Sequence, residues 1–279
     1  MSIKTLTEDA IFLRDNGRYL SSLSLMCIAI AASARLMYPK RTKSFVSNDC
    51  MRDEEAFTTC FKVALSKSWV ENKHEDHNVV DICKFDYKNA EYSLGDIIYK
   101  FYRCNLIHEA SLPKEIDFVE SIDGRKGKLS ISGCGVGIDV NGIYLSYNWI
   151  DLLYFAVSNL LCNAKEFGVE HFDFVMKNGI DEAVYQDGLF KKYDITYGRL
   201  LFFKEFLMLS DNYLRDFSGM TAGQLQIEFE EAVRLGDLHD SYSVAFRSQG
   251  LIDVDGKFTE KALNLFNEIC DKYEKIKLA

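Results

Sequence analysis

Tyr99-Lys100-Phe101-Tyr102-Arg103-Cys104-Asn105-Leu106-Ile107-His108-Glu109 reads as one helix that carries an arginine, an amide and a histidine among aromatic and aliphatic residues. Ser93 stands where it can cap its start, and Leu94, Ile97, Ile98, Phe101, Tyr102 and Ile107 form its apolar surface. It ends near Ala110, shortly before Pro113, because the residue ahead of a proline is disfavoured in helical backbone. At about 100° per residue, Arg103 and His108 lie roughly 140° apart around such a helix, too far to make one compact site from a single copy. Cys104 with His108, and Asn105 with Glu109, are i, i+4 pairs on shared faces. The same residues also suit a buried helix whose polar groups are satisfied by neighbours.

Helices flank this stretch on its N-terminal side. Thr7-Glu8-Asp9-Ala10 predicts a short capped helix ending at Asn16-Gly17. From Tyr19 to Tyr38, apolar residues at Leu20, Leu23, Met26, Cys27, Ile30, Ala31 and Ala34 recur at helical spacing until Pro39. Met51 to Trp69 is the next helix, with Asp53, Glu54 and Glu55 suiting the dipole in its first turn. Between these two, Lys40, Arg41 and Lys43 read as solvated loop cations. His74-Glu75-Asp76-His77 with Cys83 downstream resembles a metal site only in its i, i+3 histidines; no second ligand pair follows at a typical spacing, so neither metal nor cofactor is expected.

After Pro113 the period changes from helical to alternating. Short strands are predicted at Phe118–Ile122, Lys128–Ser132, Gly137–Val140 and Ile143–Ser146, with turns at Asp123-Gly124 and Asn141-Gly142, giving a small antiparallel β insert over about 117–146. Gly133, Gly135 and Gly137 read as bulge or turn glycines, since no helix and no Lys-Ser/Thr follows as a phosphate loop requires. Asn148 caps a long helix through Phe167-Gly168. The expected organisation is a helical domain over 1–168, a connector over 169–195 and a further domain over 196–279.

Composition narrows the function classes. Of 279 residues 48% are hydrophobic, enough for a substantial core, and the two prolines favour long helices, so the fold class is mainly α. The net charge of −9 argues against holding nucleic acid by bulk charge, though a local basic cleft remains compatible with transient RNA handling. Eight cysteines without a CxxC pair read as reduced thiols. The chain start lacks a secretory signal, and the apolar run from Leu23 to Ala32 is too short for the roughly 20 residues of a membrane span. A cytoplasmic protein without membrane contact is expected.

Two resemblances add to this reading. The helix carrying Arg103-x4-His108, within Tyr102-Arg103-Cys104-Asn105-Leu106-Ile107-His108-Glu109, and the earlier helix from Gly17-Arg18-Tyr19 to Arg35-Leu36-Met37-Tyr38-Pro39, resemble the HEPN superfamily (higher eukaryotes and prokaryotes nucleotide-binding) over roughly the first 165 residues. Its active members are metal-independent ribonucleases with an Arg-x4–6-His motif that act as dimers, some in defence or toxin systems. The resemblance implies Arg103 and His108 as catalytic residues, Tyr102, Cys104, Asn105 and Glu109 as supporting ones, and RNA as substrate at a homodimer site. The sequence departs from the family where Cys104 follows the arginine in place of Asn, Asp or His. The C-terminal string helix, Gly250-Leu251-Ile252, Asp255-Gly256-Lys257-Phe258-Thr259-Glu260-Lys261-Ala262 resembles the second half of a winged-helix domain. Its would-be recognition helix, Asp237 to Gln249, is acidic where DNA readers are basic, which favours a protein contact. A non-catalytic dimerisation module and a winged-helix regulator are the alternative classes.

Overall fold

The computed structural model describes residues 2–69, 84–122, 128–131, 134–139, 142–177, 179–209, 221–235 and 241–279. Helices dominate, and the chain divides into two compact units, Met1–Glu170 and His171–Leu278. His74, His77 and Cys83 lie outside the described residues, as do the turn residues Gly124 and Asn141 and the start of the predicted helix at Asp237.

The first unit is built around α2 (Tyr19–Met37). Leu23, Met26, Cys27, Ile30 and Ala34 are buried against α1 (Ile3–Asp15), α3 (Asp53–Trp69) and α6 (Trp149–Ser158). α1 starts ahead of the expected Thr7 cap: the Ser2 hydroxyl accepts from the Thr5 N–H at 3.1 Å, while Thr7 is buried and donates back to the Lys4 carbonyl. α2 extends well past the Leu23–Ala32 run, and by length and composition alone it could cross a membrane. About 44% of its most apolar window is buried among its neighbours, so its core position accounts for part of that apolarity. α6 stops at Ser158, short of the expected Phe167, and the chain resumes as a 3-10 turn, Leu161–Asn163, and α7 (Ala164–Phe167). Buried Asn163 holds this break by donating to the Val157 carbonyl at 2.8 Å and to the Ser33 hydroxyl at 2.9 Å.

Two short strands absent from the sequence expectations, β1 (Lys84–Tyr87) and β2 (Ala90–Ser93), pair antiparallel across Lys88-Asn89. Both turn residues have positive φ, 48° and 64°, the geometry of a tight hairpin turn reached here without glycine. β3 (Ile116–Val119), β4 (Lys128–Ile131), β5 (Cys134–Asp139) and β6 (Gly142–Ser146) form the predicted insert in the order β3-β6-β5-β4. It is not wholly antiparallel: β3 runs parallel to β6, with Ile116 opposite Ile143 and Phe118 opposite Leu145. The chain crosses from β3 to the far edge before returning, so the last strand lands beside the first in the same direction. Gly135 and Gly137 lie within β5 rather than in a turn. A Cβ on Gly135 would stand 2.4 Å from the Ile122 side chain, so close packing explains that glycine.

In the second unit, the stretch expected as a connector carries β7 (Phe172–Met176) and α8 (Glu182–Tyr193). β7 pairs antiparallel with β8 (Tyr273–Lys277), a strand absent from the sequence expectations. α9 (Tyr197–Leu209), α10 (Ala222–Leu235), α11 (Ser241–Arg247) and α12 (Glu260–Lys272) surround a core containing Phe203, Phe206, Phe229, Phe246 and Phe258. Between α11 and α12 the winged-helix-like string pairs through one isolated bridge, Ile252 with Phe258, closed by the Asp253 N–H on the Lys257 carbonyl at 2.8 Å. Buried Lys204 sits 4.3 Å over the Tyr273 ring and 3.1 Å from the Glu182 carboxylate, tying α8, α9 and β8 together.

Candidate functional site

The helix bearing Arg103 and His108 is continuous but not uniformly α. It begins as α4 (Leu94–Asp96), widens to a π-helical segment over Ile97–Arg103, and returns to α-helix as α5 (Cys104–His108). Ser93 caps it as expected, in a reciprocal box with Asp96: the hydroxyl accepts from the Asp96 N–H and the carboxylate accepts from the Ser93 N–H, each at 3.1 Å. The Cys104 N–H reaches back five residues to the Tyr99 carbonyl, the signature of the wide turn. This delays the inward phase, so Tyr102 and Leu106 are buried while Ile107, expected on the apolar surface, is 37% exposed.

A π-to-α junction leaves one carbonyl without its regular partner. Asn105 covers that place: its side-chain amide donates to the Phe101 carbonyl at 2.8 Å and to the Lys100 carbonyl at 3.3 Å. Asn105 therefore supports the helix from within. Tyr102 acts on the other side, its buried hydroxyl donating to the Asp117 carbonyl at 2.7 Å and lying 3.4 Å from the Ile143 carbonyl, across the parallel β3–β6 pair. Burial first, and then the Asp117 charge, hold its phenol well above the ordinary tyrosine range, so it stays a neutral donor.

Arg103 is half-buried, with its guanidinium 5.1 Å from the Tyr99 ring centroid and one nitrogen 4.0 Å from the Cys104 sulfur. It makes no ion pair among the described residues. The Cys27 thiol on α2 shares this neighbourhood: burial pushes it up to about 12, against the pull of the Arg103 charge. Tyr99 is raised chiefly by burial, with Arg103 opposing. Beside it Lys100 stands 3.1 Å from Glu54 on α3 and 3.6 Å from Asp96, so that cation is engaged and Arg103 is not.

His108 and Glu109 are exposed at the end of α5, without hydrogen-bond partners for their side chains among the described residues. The structure thus brings Arg103, Cys104 and Tyr99 together and leaves His108 one helical turn beyond Cys104 on the shared face, without a hydrogen bond to Arg103 among the described residues. Tyr99, whose ring holds the guanidinium, is not among the residues the sequence assigned to the site. No group of three or more potential metal ligands occurs among the described residues. Ala110, just past the helix end, has φ +53°, a left-handed position that glycine fills at lower cost. Ala110→Gly is expected to stabilise the first unit by roughly 0.5 kcal/mol, read from the midpoint of urea unfolding followed by tryptophan fluorescence.

The Rv1289 family model matches residues 2–166, more than half of the chain and nearly all of the first unit. No curated protein and no solved structure matches the chain.

Proposed function

The chain belongs to the Rv1289 family through its first unit, and we propose that this unit is a HEPN-like, metal-independent endoribonuclease that acts as a homodimer. The observation that carries the reading is the pairing of an arginine held by an aromatic ring and a thiol, with no carboxylate consuming its charge, and an exposed, unpartnered histidine at the end of the same helix. A structural Arg and His of a buried helix would be spent on neighbours.

In this reading Arg103 holds the scissile phosphate and the charge that grows on it. Histidine is the side chain suited to moving protons near neutral pH, and His108 takes the 2′-hydroxyl proton or returns one to the leaving oxygen. The 2′-oxygen bonds to phosphorus, the bond to the 5′-oxygen breaks, and the products are a 2′,3′-cyclic phosphate and a 5′-hydroxyl. Because Arg103 and His108 diverge around one helix, each site combines groups from two copies. What supports the pairing is the outward side of α2, where Leu20, Ile28 and Leu36 are exposed beside half-buried Ala31 and Ala32 on a helix that touches the Arg103 segment.

The second unit is, on the same reading, a winged-helix-like module for a protein partner rather than DNA, since α10 presents Glu228, Glu230 and Glu231. The test is cleavage of labelled RNA in EDTA. Wild type should cut, with Arg103→Ala slower by about 10³-fold and His108→Ala by about 10²- to 10⁴-fold. A wild-type chain that cuts nothing, or variants that cut equally well, would leave the non-catalytic interaction module as the better reading.

A further inference from the structure

The segment between α2 and α3 is basic in a chain whose net charge is −9. Lys40, Arg41, Lys43 and Arg52 stand against one carboxylate, Asp49, among residues 39–52, and all four cations are exposed without an ion pair among the described residues. Taken from sequence alone, such loop cations are merely solvated. Their setting here is more specific. The loop is closed by a bridge between Lys43 and Cys50 and by the Met51 N–H on the Thr42 carbonyl at 2.8 Å. Glu55 ties its far end by accepting from the Phe45 N–H at 2.7 Å and the Ser44 hydroxyl at 3.0 Å. Arg41 is held at φ +79°, a strained conformation for a residue with a side chain. At the tip, Phe45 is 54% exposed, its ring meeting Tyr38 edge-on.

The acidic residues at the base are each engaged: Asp53 pairs with Arg35, Glu54 with Lys100, and Glu55 with the loop itself. The loop leads into α3, which meets the Arg103 helix: Glu54 lies 3.1 Å from Lys100, and the Phe57 ring is 5.2 Å from the Tyr99 ring that holds Arg103. A hydrogen-bonded arm with unpaired cations around a half-exposed aromatic ring matches what binds a single-stranded nucleic acid, where cations follow the backbone and bases stack on rings.

We propose that residues 39–52 form a second contact for the RNA strand, with Lys40, Arg41, Lys43 and Arg52 on its phosphates and Phe45 beneath a base. The inference rests on the RNA-cleaving reading of Arg103 and His108, and its test is separable from cleavage. The probe is a fluorescein-labelled 2′-O-methyl oligonucleotide of about 20 residues, long enough to span several phosphate contacts and lacking the attacking hydroxyl. Binding is followed by anisotropy across a salt series on the full chain. Replacing Lys40, Arg41 and Lys43 together by glutamate should cut affinity at least tenfold and shrink the log–log salt slope by about 2, near 0.7 per lost phosphate contact. Phe45→Ala should weaken binding roughly tenfold with the slope unchanged. The triple alanine variant, expected to lose the same slope, replaces the glutamate variant if thermal unfolding shows the latter misfolded. Wild-type binding that is absent, or unaltered in these variants, overturns the inference. Loss of binding to phosphatidylserine vesicles with RNA binding intact overturns it in favour of a membrane surface. Binding that depends on the loop in a wild-type chain that cuts no RNA sustains this inference and removes the nuclease reading instead.

Discussion

Mixed in equal amounts under conditions of subunit exchange, Arg103→Ala and His108→Ala chains should recover RNA cleavage that neither has alone. A mixed dimer retains one intact combination, Arg103 from one chain and His108 from the other, if each site is shared across the twofold axis. Random exchange makes half the dimers mixed, each with one of two sites restored, so roughly a quarter of wild-type activity is expected. The geometry behind this is the α-helical path from Arg103 through Cys104–His108, which carries the two side chains about 140° apart. Should the mixture remain inactive while co-purification of two differently tagged variants confirms mixed dimers, the two residues do not act in trans. A chain that stays monomeric throughout the active concentration range would remove the shared site altogether.

The helical recurrence from Tyr19 onward located α2, and the alternation after Pro113 located the insert, because both depend on one face of an element being buried. Pairing between strands was less accessible. β7 and β8 lie at opposite ends of the second unit, and nothing local in Phe172–Met176 names Tyr273–Lys277 as its partner. The β1–β2 turn hid for a different reason: Lys88-Asn89 adopts the conformation usually signalled by glycine. At the site, Arg103 and His108 could be picked out as helix residues, yet the π turn has no letter of its own. It emerges from how Tyr102 is anchored to the β3–β6 pair and Asn105 covers the carbonyls at the junction. The loop over 39–52 shows the same limit, since its cations were visible while the bonds that order it span Ser44 to Glu55.

The largest stability effect is expected from Gly142→Ala. A Cβ there would lie 1.9 Å from the Glu115 carbonyl oxygen and 2.8 Å from its carbon, a collision with backbone that no side-chain rotation relieves. That carbonyl accepts from the Ile143 N–H at 2.8 Å, so the clash falls on the start of the parallel pairing of β3 with β6. Separating these strands also strips Tyr102 of its acceptors on Asp117 and Ile143, leaving a buried hydroxyl unsatisfied. Overpacking and the lost hydrogen bonds together should destabilise the first unit by about 3 kcal/mol. Gly135→Ala is the informative comparison: its Cβ would meet the Ile122 side chain at 2.4 Å, and a side chain can give way, so about 1 kcal/mol is expected. Both tryptophans, Trp69 and Trp149, lie in the first unit, so urea unfolding followed by their fluorescence reports on it selectively. Because Tyr102 precedes Arg103 directly, Gly142→Ala should also lower RNA cleavage under conditions where the chain is still folded, whereas Gly135→Ala should not. An unfolding midpoint unchanged by Gly142→Ala would mean that β3 does not approach β6 at this point, and with it the anchoring of the Arg103 helix by Tyr102 would fall.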